Sequence, residues 1–136
     1  MTADDEIHDH QVRCQAYLLE LRMLARVDAG PAPTAADIGR TTSAIIAEAR
    51  AAGREVLADG PGRRHPGVGP FLQVRLNRLT TAADEAIAAA RAGDPATLRR
   101  ALHRFDALTS AIWTVQDSVR EQRRVPRTGT VGALSN

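Results

Sequence analysis

Residues 93–124, GDPATLRRALHRFDALTSAIWTVQDSVREQRR, decide the fold. Asp94 can accept hydrogen bonds from the first free N–H groups of a helix, and Pro95 falls at the first helical position, where a missing N–H costs nothing. From that start Leu98, Leu102, Phe105, Leu108 or Thr109, Ile112, Val115 or Gln116, and Val119 recur at three- and four-residue steps. The spacing predicts one helix over 95–124 with a continuous apolar face that must be buried against other elements.

Working back from Gly93, the residues Leu72, Leu76, Leu79, Ala83, Ala86 or Ile87, and Ala90 predict a helix over about 70–92. Gly93 suits a left-handed cap and Asp94 opens the next helix, so these two helices must be antiparallel neighbours. Further upstream, Thr34 and Asp37 stand in capping-box positions before Ile38, Thr41 or Thr42, Ile45, Ala49, Ala52 and Val56, which predict a helix over 34–58. Its face is rich in small residues and interrupted by Gly53, which implies close approach to its neighbours. The first helix, over about 4–28, follows from Ile7, His10, Cys14, Tyr17 or Leu18, Leu21 and Leu24. Acidic residues at its start and Arg22 and Arg26 near its end complement the helix dipole.

Between these helices, residues 29–33 form a Gly-Pro stop, and 60–70 hold four glycines and three prolines, the composition of a loop joining two helical hairpins. The stretch 125–136 has no periodicity and reads as a disordered tail. No segment alternates as a strand would. Four helices of this length, about 35–45 Å each at 1.5 Å per residue, have the proportions of a single-domain, all-α antiparallel four-helix bundle.

A chain of 136 residues can bury such a core without metals or disulfides. Cys14 is the single cysteine, the first residues are acidic where a signal peptide would be basic and then apolar, and no apolar run reaches membrane-spanning length. The expectation is a soluble, cytoplasmic protein with no membrane partner. Net charge shifts from −3 over residues 1–28 to +4 over 95–136, and all 18 basic residues are arginine. Arg99, Arg100, Arg104, Arg120, Arg123 and Arg124 make the outer side of the last helix basic. No aromatic residues interleave with them, so specific nucleic-acid binding is not expected.

Chemistry-bearing motifs are few. The chain has no G-x-S-x-G elbow, Walker loop or dinucleotide fingerprint, and no carboxylate pair whose placement follows from spacing. Catalytic residues and cofactors are therefore not assigned. His10 and Cys14 are four apart on one face and could supply two metal ligands, with His103 and Asp106 as distant candidates for the others. In an up-down-up-down bundle, however, His10 lies level with residues 117–121, about 20–25 Å along the axis from His103. No metal site is expected. Arg63, Arg64 and His65, among glycines and ahead of a helix start, form a candidate anion site.

The segment Leu102-His103-Arg104-Phe105-Asp106-Ala107 resembles the phosphoacceptor motif of histidine-phosphotransfer domains, helical bundles whose pattern is small residue, His, any residue, Leu, Lys, Gly. That resemblance implies a phosphorelay module with His103 as acceptor. Asp106 stands where the family has lysine, and Ala107 where it has glycine. Asp106 would repel an incoming phosphoryl group, and no phosphohistidine is expected.

Trp113, the single tryptophan, follows Ile112 on the shoulder of the last helix's stripe and forms a ridge with Gln116 and Arg120. This ridge is the expected partner interface. The functional expectation is thus a protein that acts through protein contacts, as regulator, adaptor or subunit, by self-association or with another protein. The alternative is a ligand- or anion-binding bundle using the 63–65 loop.

Overall fold

A computed structural model of the chain describes residues 3–26, 32–58 and 66–124. Its elements are α1 (Ala3–Leu24), α2 (Ala35–Ala58), α3 (Val68–Ala92) and α4 (Pro95–Arg124), with no strand among the described residues. The four-helix, all-α reading of the sequence is the fold observed. Residues 59–65, which include Arg63, Arg64 and His65 of the loop expected over 60–70, and residues 125–136, expected as a tail, lie outside the described residues.

Local chemistry accounts for the helix ends. Gly93 takes the left-handed conformation (φ 67°), and its N–H reaches the Ala90 carbonyl at 3.2 Å while the Asp94 N–H reaches Ala89 at 3.0 Å. These two bonds form a Schellman motif, which needs positive φ at a position where glycine is unstrained. Asp94 then caps α4: its carboxylate accepts from the Thr97 N–H at 3.1 Å and the Thr97 hydroxyl at 2.6 Å. Those bonds, the hydroxyl's first, hold the Asp94 carboxyl below its ordinary pKa. At the start of α2 the Thr34 hydroxyl accepts from the Asp37 N–H at 3.1 Å, as the capping-box reading required.

Two boundaries differ from the sequence reading. Helix α1 ends at Leu24, four residues short of 28, with Ala25 and Arg26 closing the last turn onto Leu21 and Met23. Helix α3 begins at Val68, ahead of Pro70. Proline is tolerated there because N–H groups of a first turn have no intrahelical acceptor.

The order of packing follows the chain: α1 on α2, α2 on α3, α3 on α4, with α1 closing onto α4 along a thinner seam. Paired residues count in opposite directions across each boundary. Glu48 meets His10 and Arg13 while Thr41 meets Glu20. Gln11, Cys14 and Arg22 of α1 meet Asp117, Trp113 and Asp106 of α4. Across α2 and α3, Gly39 faces Ile87 and Gly53 faces Leu72.

Every alternative left open along α4 is resolved by its strict heptad. Leu98, Leu102, Phe105, Thr109, Ile112, Gln116 and Val119 alternate steps of four and three and are all buried, whereas Leu108 and Val115 are only half-buried on the flank. Thr109 is accommodated by donating to the Phe105 carbonyl at 2.8 Å. Gln116 donates from Nε2 to the Ala49 carbonyl at 3.3 Å, and its Oε1 is buried without a partner. Gly53 of α2 borders this amide, but a Cβ there would lie 3.5 Å from Nε2, an ordinary contact. Small residues on α2 thus bring the backbones together without a steric requirement for glycine.

Candidate functional site

Two regions of α1 carry polar or apolar groups that the bundle does not use for its core alone. The first is the seam with α4. Trp113, read as a shoulder residue of the expected partner interface, is 6% exposed, and its indole N–H donates to the Cys14 Sγ at 3.1 Å. The ring turns inward because α1 covers that flank of α4. Burial raises the Cys14 thiol to about 11, against the smaller opposing effect of the indole N–H. A thiol so protonated is a poor nucleophile and a poor metal ligand at neutral pH.

Gln116, at 1% exposure, is also inside the bundle, and the side chain of Arg120 lies outside the described part of the structure. The ridge of Trp113 and Gln116 therefore does not face solvent. Its two described members bind α1 and α2 instead.

His10 sits at the α1–α2 boundary, where Nδ1 lies 2.6 Å from Glu48 Oε1 while Arg13 Nε donates to Glu48 Oε2 at 2.7 Å. Burial pushes the Glu48 carboxyl up, but the bonds from Arg13 and His10 outweigh it and hold the group below its ordinary range. His10 and Cys14 thus face different helices. Among the described residues no three His, Cys, Asp or Glu side chains are grouped as metal ligands would be.

Farther along the seam, Leu21, Arg22, Ala25, Arg99, Leu102, His103 and Asp106 line a groove of about 170 Å³. Arg22 donates two bonds to Asp106, at 2.6 and 2.8 Å, and so clasps α1 to α4 across it. Exposed His103 and Arg99 stand at its rim, and Arg104 beside them reaches Glu85 of α3 at 2.8 Å. His103 is level with Ala25, and His10 is level with the far end of α4, as Gln11–Asp117 shows. The bundle separates the two histidines, as simple topology required. Asp106, the departure from the phosphotransfer pattern, is bound to Arg22 three residues beyond His103.

The second region is the outer face of α1. Val12, Leu19 and Met23 are 54%, 59% and 72% exposed, and exposed Ala16 lies between them. The four follow steps of four, three and four, the spacing of a coiled-coil seam. They lie on the side of the helix opposite Ile7, Cys14, Leu18 and Leu21, which are buried. Helix α1 is therefore apolar on two faces, and the described residues cover only one. The outer stripe was legible in the heptad spacing but is masked by the inner one, which the sequence reading followed.

No helix among the described residues is long and apolar enough to cross a membrane. No family model matches the chain, and neither a curated protein nor a solved structure matches it.

Proposed function

We propose that this protein acts through protein contacts, as a self-associating regulator, adaptor or subunit, and that α1 rather than the Trp113 ridge supplies the surface. The observation that carries this reading is the stripe Val12, Ala16, Leu19 and Met23, apolar side chains, three of them large, held in water at coiled-coil spacing. Exposed apolar side chains are common singly, but a contiguous row along one helix face is the signature of a contact surface. Sedimentation equilibrium from about 5 µM to 500 µM tests it, a range suited to an interface smaller than the ~1,200–2,000 Å² of stable complexes. The wild-type chain should show concentration-dependent association that Leu19→Glu abolishes with unchanged helical circular dichroism. A wild-type monomer throughout, or an oligomer indifferent to Leu19→Glu, would count against this surface.

A second reading, small-anion binding, finds support in the α1–α4 groove. Arg99 and His103 flank an apolar floor of Leu21, Ala25 and Leu102. Short-chain carboxylates should then shift the amide resonances around His103, and Arg99→Ala should remove the shifts. The cationic cluster also includes Arg100 and Arg104. Their placement beside a groove distinguishes this site from the 63–65 loop expected on sequence grounds.

A further inference from the structure

We infer that the occupant of the outer α1 face is the same face of a second copy, running antiparallel about a two-fold axis that passes between Tyr17 and Leu18. The inference rests on the proposed self-association and adds the partner's orientation and register. In this register Val12 packs on Met23 of the second copy and Ala16 on Leu19, each contact occurring twice. Large faces small in the central layers, as interdigitating seams require.

The same register continues beyond the apolar layers. Asp9 occupies the seam position before Val12, and Arg26 follows Met23 in the turn that closes α1, so each Asp9 comes beside the second copy's Arg26 and an ion pair closes the seam at both ends. On one flank, Arg13 comes opposite Glu20, again twice. A parallel pairing reverses every one of these relations: Asp9 would face Asp9, and the arginines near the helix C-terminus would face each other. Helix α1 is acidic at its start, with Asp4, Asp5, Glu6 and Asp9, and basic at its end, with Arg22 and Arg26. Only head-to-tail apposition makes that asymmetry complementary, and like charges brought together select against the alternative. Arg13 and Arg22 are also fixed from behind, by Glu48 and Asp106, which limits the side-chain ordering that association requires.

Engineered cysteines distinguish the arrangements. Antiparallel pairing brings residue 12 against residue 23 of the second copy and separates the two copies of residue 23 by about 16 Å along the axis, far beyond disulfide reach. Mixing Val12→Cys with Met23→Cys under mild oxidation should yield the mixed disulfide dimer, and Met23→Cys alone should not cross-link. The buried Cys14 remains as an internal control. Self-linking of Met23→Cys would overturn the register while leaving self-association standing. A dimer by sedimentation without either cross-link would assign association to another surface, and a monomer would overturn self-association itself. Charge exchange supplies an independent readout. Asp9→Arg or Arg26→Asp alone should weaken association about tenfold, some 1.4 kcal/mol, and the double exchange Asp9→Arg/Arg26→Asp should restore it. Failure of the double variant to recover would exclude the end pairs.

Discussion

Helices α1 and α4 lie side by side, yet they divide their apolar residues in opposite ways. Helix α4 commits one heptad stripe, from Leu98 to Val119, and buries all of it, including the polar Thr109 and Gln116. Helix α1 buries a sparser stripe of Ile7, Cys14, Leu18 and Leu21 and leaves another in water. A helix with a single stripe is fully explained by its own bundle. One with two opposite stripes is only half explained, and the second stripe is where association is expected.

The sharpest test of that contrast removes one large side chain from each helix. Phe105→Ala should cost about 3–5 kcal/mol, because the ring is fully buried and leaves a cavity. Leu19→Ala should change monomer stability by no more than about 0.5 kcal/mol in urea melts at low concentration, as an exposed site does. Comparable losses at the two positions would erase the distinction. Within the α4 stripe, Gln116→Leu should stabilise the fold by about 1–2 kcal/mol, since it removes the buried, unpartnered Oε1 while Ala49 keeps its place in the α2 ladder. Destabilisation there would mean that the Nε2–Ala49 bond outweighs the orphaned oxygen. A gain of about 0.5–1 kcal/mol is expected for Gly53→Ala, where helix propensity improves and the added methyl makes only ordinary contacts.

The smallest effects concern pH. Glu48 has a lowered pKa, so its contribution is present above the unfolded carboxylate range and is lost as pH falls through the folded value. Glu48→Gln should remove that part of the acid dependence at a cost of about 1 kcal/mol, since the carboxylate is largely covered while its Arg13 partner is half in solvent. Cys14 works in the opposite sense. Its thiol is raised from 9.0 to about 11, so the unfolded chain releases the proton first and stability falls between those two pH values. Cys14→Ala should flatten this alkaline limb, whatever it does to the absolute stability.

Much of the fold was legible because its signals are local. The sequence Gly93-Asp94-Pro95 carries a cap, a counter-cap and a start in three residues, and the Ile38–Val56 face was read almost residue for residue. What escaped depended on neighbours. Trp113 is shoulder or core according to whether α1 lies against it, and periodicity along α4 does not contain that information. The choice between Val115 and Gln116 stayed open in the sequence, and the unbroken four-three register of the buried face selects Gln116. For the candidate surface the difficulty was reversed: Val12, Leu19 and Met23 are plain in the sequence, but only the bundle shows which of the two stripes on α1 is left over.

The two-residue turn at Gly93 and Asp94 has a kinetic consequence. Closing so short a connection costs little chain entropy, and its caps form without help from distant residues, so the α3–α4 hairpin is the expected folding nucleus. Helix α1 has its main support on α2 and only a narrow seam with α4, and should dock last. Before it docks, both of its apolar stripes are exposed together. A second chain competing for the helix at that moment would exchange α1 between bundles instead of pairing the outer faces of completed ones. Refolding at high concentration should therefore slow and give a longer-lived dimer than mixing folded monomers does.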